Sequence, residues 1–333
     1  MGTSPRVGSE DVNDGERMLI TPAGREDPEY DCTGLQGRLC EIADTACLDQ
    51  ILVLYGHEHD SQAARRLRDL RDPATSHTWL WAINRAHGEF LEAYEYGICV
   101  RIRLGLILTE ALVLCECCGA DLDVKGIHCL NCAPGRSTHG HNEVRDVILK
   151  AALLGDSIAC SEPGGLIPSD PLLRPADVLT TAALPGRSAA LDLGVASPFA
   201  AGAGDDYCDT MHQRKMAKYE PYFEELAMEG IHYVPVIFSA FGRPHPQASV
   251  VMNNLASIAA RKRGISDVEA IRRRLETWIG VRLQKRLAAM VINCLPQGTS
   301  EDIDALFTVD CETGDDAPTN LIRSCVEVRR SDG

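Results

Sequence analysis

The sequence predicts an α/β fold in which helices flank a mixed sheet, preceded by a helical segment and a compact cysteine-rich segment. Three observations predict it. Apolar residues recur at helical spacing over residues 35–110. Cysteine and histidine then concentrate in residues 115–132. After them, short β-like runs alternate with helical runs in the order α-β-β-β-α-β, followed by further helices.

The acidity of the chain belongs to its two ends. The chain has 333 residues, enough for two domains of ordinary size, and carries a formal net charge of −15. Its hydrophobic share of 45% is enough to form a core. Residues 1–33 are predicted to be a disordered acidic tail and residues 297–333 a second acidic tail. The central region is nearly neutral, which is compatible with an anionic partner but does not require one.

The sequence predicts a soluble intracellular protein. The N-terminal stretch "MGTSPRVGSEDVNDGER" is polar and lacks the apolar core of a signal peptide. The most apolar stretch, "GLILTEALVLC", is interrupted by Glu110 and is too short to span a bilayer. In a reducing compartment, the 14 cysteines indicate metal binding or small apolar core positions rather than disulfides.

Residues 34–112 are predicted to be a helical linker region. Its two long runs, "LQGRLCEIADTACLDQILVLYG" and "SHTWLWAINRAHGEFLEAYEYGICVRIRLGLI", keep apolar residues at helical spacing. We therefore expect this region to be mostly α-helical.

The segment "CECCGADLDVKGIHCLNC" has the spacing of a zinc knuckle, predicted over residues 113–138. The four candidate ligands fit the pattern Cys-x2-Cys-x9-His-x3-Cys and are Cys115, Cys118, His128 and Cys132. Thiolate and imidazole ligands suit tetrahedral zinc, and four of them make a closed, structural site. Cys117 is a spare that can replace Cys115 or Cys118, and Cys129 is a second spare. The alternative is a cysteine-rich loop that binds no metal.

Residues 139–296 are predicted to form the mixed sheet and its helices. The predicted elements are a helix over 141–155, the β-like runs "SIACSEP", "ADVLTT" and "AALDLGVA", a helix over 205–230, a strand over 231–241 and two closing helices. Pro221 is expected to kink the second helix. Ser266 and Glu269 have capping-box spacing at the start of the last helix.

Asp177 and Asp192 lie on two of the β-like runs, with a Pro-Gly turn between the runs. Two carboxylates on adjacent strands can hold Mg²⁺, which activates water and stabilises charge on a phosphodiester. The simplest site has a lysine two residues after the second acid, but Gly194 stands there. Lys215 and Lys218 offer amines on one face of the next helix. Spacing alone favours the ordinary alternative, in which all four charged groups are structural or solvated.

Four runs carry a family resemblance: "CECCGADLDVKGIHCLNCAPGRSTHGHNEVRDVI", "SEPGGLIPSDPLLRPADVL", "ALDLGVASPF" and "RKMAKYEPYFEELAMEGIHYVPVIFSAFG". Together they resemble the C-terminal endonuclease region of non-LTR retrotransposons, in the lineages whose restriction-enzyme-like nuclease follows the reverse transcriptase. That family joins a Cys-Cys-His-Cys knuckle to a PD-(D/E)XK nuclease. The resemblance therefore implies a restriction-endonuclease-like domain over residues 139–296.

The resemblance also implies roles for individual residues. The implied catalytic residues are Asp177, Asp192, Lys215, Lys218 and the accessory acid Glu162, and the two aspartates would bind catalytic Mg²⁺. A basic segment after the knuckle is matched by His139, His141 and Arg145. Where the family has Arg-Pro-Asp, this chain has Arg-Pro-Ala-Asp. Asp177 therefore faces the site only if a bulge absorbs the extra residue, because a one-residue slip turns a side chain to the opposite face.

Two functions follow as expectations. The first is a Mg²⁺-dependent DNA endonuclease, a nicking module separated from its reverse transcriptase; the alternative is a catalytically inactive nucleic-acid-binding remnant. The expected partners are DNA and, as a second candidate, element RNA, with no membrane, and the expected location is the nucleus. A basic C-terminal helical region is either a phosphate-contacting surface or a solvated face. Its residues are Arg261, Lys262, Arg263, Arg272, Arg273, Arg274, Arg282, Lys285 and Arg286.

Overall fold

The computed structural model describes residues 62–70, 77–84, 88–109, 113–132, 137–200 and 202–296, together with positions 46, 47, 50 and 53. The chain divides into two compact units, Met1–His57 and Glu58–Gly333, and the sheet, its helices and the cysteine-rich segment belong to the second. The predicted tails, residues 1–33 and 297–333, lie outside the described residues.

The described helices and strands of the second unit follow one another in a mixed order. They are α1 (Gln62–Asp69), β1 (Ile83–Asn84), β2 (Glu89–Phe90), α2 (Ala93–Leu104), β3 (Val113–Leu114), β4 (Asp121–Leu122), α3 (Ser137–Gly155), β5 (Cys160–Ser161), β6 (Val178–Leu184), β7 (Arg187–Ala196), α4 (Tyr207–Tyr219), α5 (Phe223–Met228), β8 (Ile231–Ser239), α6 (Pro246–Arg263) and α7 (Val268–Cys294). Among the described helices, none combines the length and the apolar character that a membrane span requires.

A four-stranded mixed sheet lies at the centre of the unit. Its order is β5-β6-β7-β8, in which β5, β6 and β7 are antiparallel neighbours and β8 is parallel to β7. The tight β6–β7 turn contains Gly186 at a φ of 73°. The parallel strand β8 instead follows a crossover through α4 and α5. The predicted mixed α/β architecture, a mixed sheet with several helices, is confirmed.

Helices cover both faces of this sheet. On one face, α3, α6 and α7 pack against β6, β7 and β8 to form the main hydrophobic core, which includes Leu191 and Leu193. On the other face, α4 and α5 contribute to two smaller clusters around Tyr233 and Ile237. Because side chains alternate along β7, Asp192 points to the α4 face, away from the main core. The sheet thus separates the largest apolar layer from this acid.

The start of α7 differs from the sequence expectation. Asp267, not Ser266, is the N-cap residue, and its carboxylate accepts a hydrogen bond from the Ala270 N–H at 2.8 Å. The capping-box prediction at Ser266 is therefore wrong. A carboxylate at this position accepts the free N–H and also complements the positive end of the helix dipole, so the helix begins one residue later. Pro221, by contrast, lies in a 3₁₀ turn that separates α4 from α5, where a kink was expected.

Two α-helices of the region before the knuckle are separated by described residues that are not α-helical. Between α1 and α2 the structure has a 3₁₀ turn over Thr78–Trp81 and the short antiparallel pair β1–β2. Gly88, at a φ of 67°, adopts the left-handed conformation that a tight turn requires and a helix does not allow. Turn chemistry therefore overrides the helical periodicity at this point.

Candidate functional site

The cysteine-rich segment folds around the short hairpin of β3 and β4. The N–H of Cys115 donates to the Ala120 carbonyl at 2.8 Å, and the N–H of Gly119 donates to the Cys115 carbonyl at 2.7 Å. Gly119 has a φ of 72°, which glycine adopts without strain. This tight turn brings the sulfurs of Cys115 and Cys118 to one site.

Asp123 organises the second half of the segment. Its carboxylate accepts three backbone N–H bonds, from Lys125 at 3.1 Å, Ile127 at 3.0 Å and His128 at 2.6 Å. These bonds hold the loop that leads into the 3₁₀ turn over His128–Leu130. Gly126 has a φ of 71°, which favours glycine, and a Cβ there would lie 2.3 Å from Leu108 Cδ1, so the Leu108 side chain would have to move.

The four predicted zinc ligands converge. Their donor atoms all lie within 4.8 Å of one another. The Sγ atoms of Cys115 and Cys132 are 3.6 Å apart, and Cys118 Sγ is 3.3 Å from His128 Nε2. The usual zinc bond lengths give a tetrahedron S–S edges of about 3.8 Å and S–N edges of about 3.6 Å. This Cys/His group can therefore bind a metal such as zinc.

The surroundings of Cys115 favour its thiolate, the form that binds metals. Burial by itself would raise the pKa of this thiol. The backbone N–H groups of Cys117 and Cys118 and the side chains of Cys132 and His128 outweigh burial and lower the pKa to about 6. Burial and the neighbouring thiols raise the pKa of Cys132 to about 12. At neutral pH, the Cys115 thiol thus needs less help from a metal ion to lose its proton than the Cys132 thiol does.

The knuckle packs against the C-terminal end of α7. The N–H of Glu116 donates to the Cys294 carbonyl at 3.0 Å, and the Cys117 thiol donates to the Asn293 carbonyl at 3.1 Å. The two spare cysteines differ in environment: Cys117 is half-buried at this helix end, and Cys129 is fully buried in the surrounding apolar cluster. The helix end therefore closes one side of the cysteine-rich segment.

The knuckle also contacts the loop that follows β7. The side-chain amide of Asn131 donates to the Phe199 carbonyl at 2.9 Å, and the Ser197 hydroxyl is hydrogen-bonded to Asn131 Oδ1 at 3.2 Å. Because β7 carries Asp192, these bonds connect the knuckle to the strand of the second predicted acid.

Asp192 is hydrogen-bonded through both of its carboxylate oxygens. Lys215 of α4 donates from Nζ to Oδ1 at 2.6 Å, and the Tyr233 hydroxyl of β8 donates to Oδ2 at 2.6 Å. The side chains of Asp192 and Lys215 are 13% and 21% exposed, so a small solvent opening remains. Two strands and one helix together build this half of the site.

Asp177 reaches the same region from the position directly before β6. Its N–H donates to the Leu191 carbonyl at 2.8 Å, while Val178 is the residue paired with Leu191 in the β6–β7 ladder. Asp177 thus directly precedes β6, and the register shift of the β6–β7 ladder lies further along, between Thr180 and Leu184. The Asp177 carboxylate accepts the Leu193 N–H at 2.6 Å and lies 3.0 Å from His141 Nε2. These contacts place the Asp177 carboxylate against β7.

Gly194 leaves the space through which Lys215 reaches Asp192. A Cβ at this position would lie 3.0 Å from Lys215 Cε and 2.8 Å from both Met211 Sδ and Ile237 Cδ1. Gly194 stands where a lysine was expected, and its lack of a side chain leaves room for the Lys215 amine from α4.

The pKa values of Asp177 and Asp192 are shifted in opposite directions. Burial acts to raise the pKa of both. In Asp177, the hydrogen bond from His141, a backbone N–H and the charge of Lys215 outweigh burial and hold the pKa below its usual value. In Asp192, burial outweighs Lys215 and Tyr233, and the charge of Asp177 adds to it, so the pKa is raised. Each carboxylate lies in the field of the other, a condition that favours a shared cation.

Lys218 does not bond to either acid. Its Nζ donates to the Tyr219 hydroxyl at 3.0 Å, and this bond raises the pKa of Lys218. The charges of Asp192 and Asp177 raise it further, so Lys218 lies within the electrostatic reach of the pair. Of the two candidate lysines, only Lys215 contacts a carboxylate of the pair.

Glu162 is directed to arginines. It forms ion pairs with Arg145 and, at 3.7 Å, with Arg174, and its N–H donates to the Asp177 carbonyl at 3.0 Å. Glu162 thus contacts Asp177 through its backbone and not through its carboxylate. The φ of Glu162 is 46°. The His139 side chain of the predicted basic segment lies outside the described residues.

Sequence reasoning missed two roles in the carboxylate site. His141 was assigned only to the basic segment, yet it bonds to Asp177. Tyr233 comes from β8, and its contact with Asp192 depends on the long-range β7–β8 register. His141 lies in one of the runs that carry the resemblance, whereas no local signal marks Tyr233.

A third group of metal-capable side chains was also missed. Donor atoms of Asp209, His212 and His245 lie within 4.8 Å of one another, and the two histidine rings stack at 4.2 Å. His245 has a structural task as well, because its Nδ1 accepts the Gln247 N–H at the start of α6. This group therefore has to be separated from the carboxylate site in any metal-binding experiment.

Much of the predicted basic region is paired inside the unit. The ion pairs are Arg272–Glu276 at 3.0 Å, Arg274–Glu89 at 3.1 Å, Arg282–Glu143 at 3.9 Å and Lys285–Glu95 at 3.9 Å. Residues 261–263 are exposed at the C-terminal end of α6, where positive charge complements the helix dipole. These three residues are the better candidates for contacts to phosphate.

Neither the protein-family models nor the curated proteins compared with this chain match it.

The unit contains two chemically distinct sets of metal-donor groups, one of thiolates and imidazole and one of carboxylates. The first suits a soft or borderline ion such as zinc, and the second suits a hard ion such as Mg²⁺.

Proposed function

We propose that residues 139–296 form a restriction-endonuclease-like PD-(D/E)XK domain that nicks DNA with Mg²⁺, related to the nuclease of non-LTR retrotransposons. One observation carries the proposal. Asp177, directly before β6, and Asp192, on the neighbouring strand β7, lie in each other's field, and Lys215 from the following helix bonds to Asp192. A chain seldom buries two carboxylates near each other unless a cation or a chemical task balances them.

The residues divide the chemistry among themselves. Mg²⁺ held by Asp177 and Asp192 would activate a water molecule and stabilise the leaving oxygen. Lys215 would stabilise the negative charge that develops on the phosphate. Tyr233 and His141 would orient the carboxylates of Asp192 and Asp177 through the bonds they already make. A cation beside Asp192 would offset the burial that raises the pKa of this carboxyl.

The knuckle would place DNA, or the RNA of a related element, beside this site. Its bond to the loop after β7 supports that role, since Asn131 contacts Phe199 only a few residues beyond the second acid. The exposed basic residues 261–263 would add contacts to phosphate that weaken with salt. A nuclear location would follow from such a substrate.

One observation favours a second candidate, an inactive nucleic-acid-binding remnant. All four carboxylate oxygens of Asp177 and Asp192 are hydrogen-bonded to donors of the protein itself. A remnant that has lost its cation would keep a network in which protein donors bond to every carboxylate oxygen, because unpaired buried carboxylates are costly.

A plasmid-nicking assay separates the two candidates. The full chain, incubated with supercoiled DNA and Mg²⁺, is expected to produce nicked circles that disappear with chelator. Asp192→Asn is expected to abolish nicking while DNA binding in a gel-shift assay persists. Asp205→Asn, at an exposed position, is the matched control and should cut like the wild type. Wild-type protein that binds DNA without cutting it, with either Mg²⁺ or Mn²⁺, would establish the remnant.

A further inference from the structure

The cysteine-rich segment contains more donors than one metal ion can use. Besides the knuckle ligands, a second group of four sulfurs lies within 4.8 Å, formed by Cys115, Cys117, Cys132 and Cys294. Cys294 ends α7, far from the knuckle in sequence. The first group is completed by Cys118 and His128, so each group has four donors.

The two groups share Cys115 and Cys132 and differ in their other members. A thiolate can bridge two ions, and two tetrahedra that share one edge need six donors in all. The shared edge would be the 3.6 Å between Cys115 Sγ and Cys132 Sγ, which is close to the edge of about 3.8 Å in a tetrahedral zinc–sulfur site. The donor number and the spacing of the shared pair both match this arrangement.

We propose that the knuckle is a two-zinc cluster bridged by the Cys115 and Cys132 thiolates. Cys118 and His128 complete the first ion, and Cys117 and Cys294 complete the second. Both ions have four protein ligands, so the cluster is structural and has no open position for substrate.

The second ion leaves the net charge of the cluster unchanged. One zinc with the thiolates of Cys115, Cys118 and Cys132 and a neutral His128 carries a charge of −1. Adding the second Zn²⁺ releases the thiol protons of Cys117 and Cys294, and the two new negative charges balance the two new positive ones. The Cys117 thiol donates a hydrogen bond to the Asn293 carbonyl. On binding the second ion, this thiol would lose its proton to solvent.

The cluster would also fasten α7 to the knuckle. Cys294 is buried, and its carbonyl already accepts the Glu116 N–H at 3.0 Å. A metal–sulfur bond would join the same two elements covalently, which explains why a cysteine, and not another small apolar residue, ends the helix inside this cluster.

Zinc analysis of the reduced, full-length protein tests the proposal. We expect two zinc ions per chain in the wild type and one in Cys117→Ser and in Cys294→Ser. Cys208→Ser replaces another buried cysteine, outside the cluster, and should retain two ions. Because Cys117 is only half-buried, its variant tests the second site even if Cys294→Ser does not fold. One zinc ion per chain in the wild type overturns the proposal.

Cadmium replacement tells a bridged pair from two alternative ligand sets for one ion. The ¹¹³Cd NMR spectrum of the loaded full chain should show two equally intense signals, one with four sulfur ligands and one with three sulfurs and one nitrogen, coupled through the bridging sulfurs. Two signals that sum to one cadmium per chain would indicate exchange between ligand sets and would refute the cluster. A spectrum that Cys117→Ser leaves unchanged would refute it as well.

Discussion

The knuckle and the carboxylate site are assembled in different ways. The four predicted zinc ligands lie within residues 115–132, and local turns hold them. The carboxylate site draws on residues 141–233, from two helices and three strands or their ends. Donors close in sequence can be recognised from their spacing. Donors brought together by a sheet depend on register and on the path of a crossover, which spacing does not reveal.

Loss of a knuckle ligand gives the largest expected effect. Cys132→Ser removes a donor common to both four-donor groups, and structural zinc contributes on the order of 10 kcal/mol to the folding of small zinc domains. We expect zinc to be lost and amide hydrogen exchange to rise over residues 113–132 and at the end of α7. Cys160→Ser, at an exposed cysteine on β5, should change neither quantity. Unchanged zinc content in Cys132→Ser would contradict the assigned ligands.

The two candidate lysines should differ in their effect on cleavage. Lys215→Gln removes the amine 2.6 Å from Asp192, and loss of one charge-stabilising donor lowers catalytic rates about 10²-fold or more. Lys218→Gln should have a much smaller effect, because Lys218 bonds to Tyr219. Single-turnover nicking rates check this order, and equal losses in the two variants would show that the Asp192 contact is not the relevant one.

Removing the charge of Asp177 and removing that of Asp192 should have different effects on the stability of the fold. The pKa of Asp177 is lowered, so its carboxylate stabilises the fold at neutral pH, and this contribution is lost as the pH falls below roughly 4. Asp177→Asn should therefore lower the free energy of unfolding at pH 7 by roughly 1–3 kcal/mol. The pKa of Asp192 is raised, so Asp192→Asn should not destabilise the protein at that pH.

Urea denaturation over the acid range measures this contrast. The deficit of Asp177→Asn relative to the wild type should shrink as the pH falls, because the wild-type carboxylate then becomes protonated. A constant deficit down to low pH would mean that Asp177 stabilises the fold through its shape and not through its charge.

The smallest expected effect comes from the glycine beside the site. In Gly194→Ala the new methyl group meets Lys215 Cε and Met211 Sδ, so the amine is pushed away from Asp192. A small displacement of a catalytic group lowers rates by about 10-fold or more. Nicking should fall while zinc content stays unchanged, and an unaffected nicking rate would show that α4 has room to adjust.

Much of the framework could be predicted because its signals are local. Periodicity indicated the helix that ends at Gly155, the β-like runs of the sheet and the break at Pro221. Cysteine spacing indicated the knuckle ligands. The cap prediction failed because Asp267 caps α7 in place of Ser266, and Gly88 turns the chain at a point where helical spacing continues.

The remainder could not be predicted because it depends on tertiary structure. Cys294 joins the knuckle only because α7 ends there. The Tyr233 contact depends on strand register, and the orientation of Asp177 depends on its bonds to Leu193 and His141. The role of Gly194 became visible only once Lys215 was placed beside it.

Binding of Mn²⁺, a substitute for Mg²⁺ with a paramagnetic signal, tests the central claim most directly. Electron paramagnetic resonance titrations of the zinc-loaded full chain would count bound Mn²⁺ in the wild type, Asp177→Asn, Asp192→Asn and the exposed control Asp205→Asn. We expect the wild type and the control to bind one ion more than either site variant, whatever the group at His212 and His245 contributes. Equal Mn²⁺ binding in all four proteins would contradict a cation shared by Asp177 and Asp192.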